Sequence, residues 1–210
     1  MTEIWSWAVV PAAYVLGSVS PAWIAGKVKG IDLRQHGSGS LGATNAGRIL
    51  GGRWFAVVFG ADVLKGVIPV AAAQFLPCDE ALRPWLLLAA GAAVVLGHVF
   101  TCFHGFKGGK AVATSLGLLV ALVWPVALAA LVVWLIAWTI GWQAFHLGKA
   151  GAVGQASVLA ALAAPAARLV LSPAPWSPTN LPITGFLILL SLLVVVKHKS
   201  NIEKLLKKSP

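Results

Sequence analysis

The segment HGSGSLGATNAGRILGG, residues 36–52, sets Ser38, Ser40, Thr44, Asn45 and Arg48 among glycines 37, 39, 42, 47 and 51. Glycines admit positive φ, so successive backbone N–H groups can turn the same way and form an anion nest. Hydroxyls and a guanidinium then add directed donors to phosphate oxygens. A flexible connector with glycine-based helix packing has no need of Thr-Asn-x-x-Arg. A second segment, GHVFTCFHGFKGGKAVATSLG, residues 97–117, brackets Gly108-Gly109 with Lys107 and Lys110 just before an apolar helix begins. Helix N-termini attract anions through unpaired N–H groups and the macrodipole. The full G-x-x-x-x-G-K-[ST] pattern is missing and no strand precedes it, so this is not a nucleotide-triphosphatase loop. A charge anchor would explain the lysines but not the glycine pair. In the basic tail KHKSNIEKLLKKSP, His198 and Asn201 are spaced i, i+3, so one helical face presents both. The tail lysines 197, 199, 204, 207 and 208 read as an interfacial anchor.

Other polar residues are less decisive. Asp62 and Lys65 share one face of an apolar span; a structural ion pair and direct substrate contact are both open, since membrane-buried charges pair and face an interior. His98 and His104 sit at a helix end, where hydrogen bonding alone can explain a histidine. Cys78 and Cys102 fall at opposite membrane faces, which argues against a disulfide, and no His, Asp or Glu cluster has metal-ligand spacing. No metal and no cofactor are expected.

The elements that position these groups are membrane spans. Of 210 residues, 59% are apolar and 10% charged, against about 25% charged in soluble domains. Met1 to Glu3 lacks a basic leader region, so no cleaved signal is read there. The net charge of +10 lies in short segments between apolar spans, which excludes a folded nucleic-acid-binding face and marks cytoplasmic ends. Apolar runs cover 4–27, 54–77, 84–103, 111–145, 150–171 and 181–196. Lys27, Lys29, Arg34, Arg48 and Arg53 place the first loop in the cytoplasm, and the lysine tail should lie there too. An even number of crossings must then follow residue 110. The 111–145 run, about 52 Å as one helix, supplies that parity when divided near Trp124-Pro125. The expectation is an all-α, polytopic integral membrane protein. It has seven transmembrane helices, one short or tilted, with the N-terminus outside and the C-terminus cytoplasmic; five spans plus re-entrant pieces is the alternative. Residues 1–210 form a single domain, and the 32–53 loop, the 98–114 loop and the tail share the cytoplasmic side.

In order and spacing, four blocks resemble the acyl-phosphate:glycerol-3-phosphate acyltransferase (PlsY) family of bacterial inner-membrane enzymes. GSGSLGATNAGRILG resembles the family's GSGN-x-GATN-x-x-R, and DVLKGVIPV its D-x-x-K-G-x-x-P. GHVFTCFHGFKGGKAVAT resembles GH-x-FP-x-F-x-x-F-KGGKGVAT, and KHKSNIEKLLK the terminal RH-x-x-NI-x-RLL block. The resemblance implies transfer of an acyl group from acyl-phosphate to the sn-1 hydroxyl of glycerol-3-phosphate, giving lysophosphatidic acid at the cytoplasmic face of the inner membrane. It assigns Ser38, His198 and Asn201 to catalysis. It assigns Arg48, Thr44, Asn45, Lys107, Gly108, Gly109 and Lys110 to substrate binding, with either lysine as the phosphate contact. Departures are Ser40 for Asn, Thr101 for Pro, Ala111 for Gly and Lys197 for Arg, and the acidic residue often found near the C-terminal end is missing. Ala111 is expected where the helix starts, a place that tolerates a Cβ if φ is negative.

Two phosphate-bearing substrates would explain two anion loops on one face. Arg48, Ser38, a lysine and the 108–109 N–H groups are expected to hold them, with the acyl chain between apolar helices. Backbone donors would meet the oxyanion, and His198 or the departing phosphate would take the proton. None of the five histidines has Asp five positions on, which excludes the H-x-x-x-x-D mechanism. An organic-phosphate carrier would want basic loops too, but carriers bind at the midplane; a CDP-alcohol phosphotransferase needs a D-G-x-x-A-R run that is missing.

Overall fold

A computed structural model describes residues 4–206, with side chains to Glu203. Residues 1–3 and the tail lysines Lys207 and Lys208 lie outside the described residues, as does the side chain of Lys204. All regular structure described is helical: α1 Val9–Ser18, α2 Pro21–Val28, α3 Ala43–Leu50, α4 Gly52–Phe75, α5 Arg83–Val99, α6 Val112–Gln143, α7 Lys149–Leu171, α8 Leu181–Lys197 and α9 Lys199–Leu206. Among the described residues, five segments are long and apolar enough to cross a membrane: Ile4–Val28, Gly52–Phe75, Arg83–His104, Val112–Gln143 and Lys149–Leu171. Leu181–Lys197 is a shorter apolar helix. The chain forms two compact units, divided after Leu122.

In the first unit, α1 packs along α5, and α4 packs on α1, α3 and α5. Glycine sets the closest approaches, as expected where no hydrophobic force drives helices together in lipid. A Cβ on Gly17 would strike the Val94 carbonyl, and one on Gly97 that of Tyr14; Gly66 and Gly117 do the same for α4 against the start of α6. The α1–α2 helical run breaks at extended Val19, and Pro21 restarts it, with the Ser20 hydroxyl accepting the Trp23 N–H at 3.2 Å. The break leaves carbonyls without helical partners, costly at membrane depth. Lys65 Nζ donates to Gly17 O at 2.9 Å and Val19 O at 2.8 Å, and Thr101 Oγ1 donates to Ser18 O at 2.7 Å.

Helix α6 is interrupted at Val123 (φ −149°, ψ 69°), immediately before the Trp124-Pro125 pair where division was expected. Proline cannot donate to the preceding turn, and its ring crowds that turn's carbonyl. The part before the interruption, 112–122, rises about 16 Å, short of a core about 30 Å thick.

In the second unit, α7 packs on α8, and α9 touches both. Along α6, Trp134 and Trp138 stack at 6.0 Å, and Trp142 lies tilted against Trp138 at 5.2 Å. The first two indole N–H groups bond to α7, at Ser157 Oγ (3.2 Å) and Lys149 O (3.0 Å).

Candidate active site

The loop from α2 to α3 is built around Asn45, on the first turn of α3. Its side chain is 1% exposed. Nδ2 donates to Leu33 O and His36 O, both at 3.0 Å, while Oδ1 accepts the Ser38 N–H at 2.9 Å and meets Arg48 Nη1 at 3.5 Å. Gly37 (φ +63°) passes so close to Asn45 Oδ1 that a Cβ would collide with it. Asn45, expected as a substrate contact, is therefore a clasp: its capacity is spent folding residues 33–38 back onto α3. The clasp leaves the Ser38 and Arg48 side chains exposed and Thr44 half-buried. Gly42 caps α3 without a side chain, so the helix opens with no side-chain partner for its first N–H groups.

Charge in this loop is sorted. Arg34 Nη2 meets Asp32 Oδ2 at 2.7 Å, and Nε lies 3.0 Å from Oδ1. Hydrogen bonds from the Arg34 side chain and N–H pull the Asp32 carboxyl down to about 2. Asp32 is thus spent on Arg34, and among the described residues no carboxylate pairs with Arg48 or Lys107. Both cations stand uncompensated, as an anion site requires.

The second loop lies against the end of α5. The Gly108 N–H donates to Val99 O and the Gly109 N–H to His98 O, each at 3.1 Å. These N–H groups, expected to cradle a phosphate, are consumed within the protein; the glycines instead allow close approach. A Cβ on Gly108 would strike the His98 carbonyl, and one on Gly109 the His98 imidazole, with Leu41 O also 3.0 Å away. Gly109 therefore brings the second loop against the first, two residues ahead of α3. Lys107 is exposed and Lys110 half-buried, one on each side of the fastened pair. Ala111 corrects a second expectation: its φ is +62° and its side chain is buried. The left-handed region disfavours a Cβ by about 1–2 kcal/mol, so the glycine of the resembling block is the unstrained residue here.

Behind this loop lies a polar cluster. Asp62 Oδ1 pairs with Lys65 Nζ at 2.9 Å and lies 3.4 Å from His98 Nδ1, which also meets Thr114 Oγ1 at 3.2 Å; Asp62, Lys65, His98 and Thr114 are all buried. Lys65 is fully engaged in closing the α1–α2 break, so the Asp62–Lys65 pair is structural. His98 was the residue the sequence undervalued; its signal is the Gly-His that opens the third block. His104 instead packs on Trp23, ring centroids 5.0 Å apart.

In the second unit, His198 is buried at the α8–α9 junction with Nδ1 2.8 Å from Val194 O. A carbonyl only accepts, so Nδ1 carries a proton at this contact. The Asn201 N–H donates to His198 O at 2.8 Å, and its amide lies where a Cβ on Gly154 would sit. Cys78 and Cys102 are free, and no group of three potential metal ligands occurs among the described residues.

The family described as glycerol-3-phosphate acyltransferase matches residues 7–208. A glycerol-3-phosphate acyltransferase of Trichormus variabilis is 41% identical over 213 residues, covering 95% of this chain and 88% of the relative. That of Aquifex aeolicus is 39% identical, covering 92% of each. Among solved structures, the chain is similar to PlsY (YgiH), an integral membrane glycerol 3-phosphate acyltransferase. Its glycerol 3-phosphate form matches with TM-score 0.81 and 36% identity, over 96% of this chain and 92% of that one. Its lysophosphatidic acid form matches with TM-score 0.78 and 34% identity over the same shares. With the two glycine-rich blocks folded against one another and similarity running nearly end to end, this membrane chain belongs to the PlsY-type glycerol-3-phosphate acyltransferase family.

Proposed function

We propose that the protein transfers a fatty acyl group from acyl-phosphate to the sn-1 hydroxyl of glycerol-3-phosphate, releasing lysophosphatidic acid and phosphate, the first step of phospholipid synthesis. The observation that carries this reading is the Asn45 clasp, which fixes Ser38 and the unpaired Arg48 beside a second loop bearing Lys107 and Lys110. Related structures include one in a glycerol 3-phosphate form and one in a lysophosphatidic acid form, in keeping with such a substrate and product.

In this mechanism Arg48 and the 107–110 lysines hold the two phosphates, with Ser38 and Thr44 adding hydroxyl donors. Lys107, exposed and unpaired, is the lysine assigned to first contact. The glycerol hydroxyl attacks the acyl carbonyl carbon, a C–O bond forms, and the carbon–oxygen bond to phosphate breaks. Because an acyl-phosphate is already activated, a strong base is not required. The hydroxyl proton passes to His198 or to the departing phosphate, with Asn201 assigned beside His198 by the resemblance. With the 108–109 N–H groups spent, the opening N–H groups of α3 are the backbone donors offered to developing negative charge.

Residues 1–210 act as one acyltransferase domain of the bacterial cytoplasmic membrane. Seven crossings are assigned, with the N-terminus outside and the C-terminus and active site cytoplasmic. The interruption of α6 at Val123 and the cations between α2 and α4 support that topology. No cofactor or nucleic acid takes part. The test supplies acyl-phosphate, acyl-CoA and acyl-carrier protein separately with glycerol-3-phosphate to the purified protein. Product from acyl-phosphate alone is expected. Product from a thioester donor overturns the donor assignment, and counterflow of glycerol-3-phosphate in liposomes without product overturns the enzyme reading.

A further inference from the structure

We propose that His98 is a positioning residue for the 107–110 loop: gripped by Asp62 and Thr114, its imidazole is a wedge under Gly109 that sets where Lys107 and Lys110 stand. This rests on the acyl-transfer reading above, in which those lysines meet phosphate.

His98 holds the loop twice. Its backbone carbonyl takes the Gly109 N–H at 3.1 Å, and its ring occupies the space a Cβ on Gly109 would need, the nearest obstruction being Nε2. The ring is held from behind. Nδ1 lies 3.2 Å from Thr114 Oγ1 on α6 and 3.4 Å from Asp62 Oδ1 on α4. Asp62 is itself paired with Lys65 at 2.9 Å, and Lys65 is tied to Gly17 O and Val19 O. Four helices thus fix an imidazole whose outer edge bears on the main chain between two site lysines. From the other side, Leu41 O lies 3.0 Å from the point that a Cβ on Gly109 would occupy. The ring therefore also sets the spacing between the loop and the Ser38–Arg48 segment. A core histidine needs none of this register; a loop presenting two cations to a substrate does, since small displacements of binding groups are felt strongly in rate.

The test uses the full-length enzyme in nanodiscs. It follows amide exchange of the 105–111 segment together with kcat and KM for glycerol-3-phosphate. In His98→Ala, exchange at Gly108 and Gly109 should quicken and KM should rise, each about tenfold or more, with a smaller fall in kcat. Gly109→Ala should lose activity because its methyl meets the ring. The His98→Ala/Gly109→Ala double variant should recover much of that loss, since the nearest obstruction is gone, a non-additivity that independent sites do not show. His98→Gln, whose amide reaches the Nε2 position, should keep most activity. If His98→Ala does not accumulate, Thr114→Val, which removes one grip on Nδ1 at constant volume, should quicken exchange and raise KM. Unchanged exchange overturns the proposal. So does faster exchange with KM and kcat held within about twofold, or a double variant no better than Gly109→Ala. A parent enzyme without acyl transfer defeats the functional reading instead, while exchange still decides whether the wedge fastens the loop.

Discussion

Asn45 Oδ1 accepts the Ser38 N–H at 2.9 Å across seven residues, and the same oxygen faces Arg48 Nη1 at 3.5 Å. One buried amide thereby fixes the relative position of the first loop's hydroxyl and its guanidinium. Asn45→Ala removes the Nδ2 bonds to Leu33 and His36 as well as the Ser38 bond, each worth about 1 kcal/mol net. The expected outcome is a fall in stability of about 2–3 kcal/mol with acyl transfer down by at least about tenfold. Intact activity with a normal melting temperature would show that the loop holds itself.

Among the described residues no carboxylate pairs with Arg48, so its loss should appear in substrate affinity first. Charge-assisted bonds contribute about 1.5–3 kcal/mol, which predicts a KM for glycerol-3-phosphate about 10–100-fold higher in Arg48→Ala. Initial rates at low and saturating substrate distinguish this from a loss of kcat. Equal rates at low substrate sink the clamp.

Lys65→Ala leaves Asp62 buried without its cation and strips donors from Gly17 O and Val19 O. Breaking a buried pair by removing one partner costs about 3–5 kcal/mol. We expect little folded protein in membranes, read by detergent melting of whatever accumulates. Normal yield and melting would mean that water satisfies the α1–α2 break.

Ala111 has φ +62°. Ala111→Gly relieves a strain of about 1–2 kcal/mol against about 0.4–1 kcal/mol of extra chain entropy, so melting should be unchanged or raised. Ala111→Val places a β-branched side chain in the same left-handed well and should cost more than about 2 kcal/mol. A Val variant as stable as the parent contradicts the assigned backbone.

His198 should exist, when neutral, as the Nδ1–H tautomer imposed by Val194 O. Nitrogen NMR of histidine-labelled enzyme reads this directly. A neutral ring protonated on Nε2 instead would contradict the Val194 contact.

Composition made the helical membrane architecture legible, and Trp124-Pro125 marked where α6 is interrupted to within one or two residues. The loop cations could be picked out too, because Arg48 and Lys107 lie near no acidic neighbour in the chain. What a glycine does was not. A glycine can supply a nest or permit contact with something distant in sequence, and Gly108 and Gly109 turned out to serve contact with His98 and Val99. Asn45 likewise looks like a ligand in a polar motif, yet tertiary folding buries it as a clasp. Ala111 was misjudged because a helix start is compatible with either sign of φ until the loop ahead of it is fixed. Lys65 could not be assigned from its own helix, since its carbonyl partners lie 46 and 48 positions earlier.

The Asp62–Lys65 pair also bears on how the chain enters the bilayer. Its two charges are three residues apart on one helix, so they can neutralise each other as soon as α4 emerges from the ribosome, before α5 and α6 exist. Segment α4 is thus handed to the insertion machinery as a nearly neutral cylinder rather than one carrying two separate ionic penalties. The carbonyls that Lys65 will bind are already made, since α1 and α2 precede it. For Lys65, order of synthesis and order of contact formation coincide, and of the α4 pair only the Asp62 contact to His98 awaits a helix still to be translated.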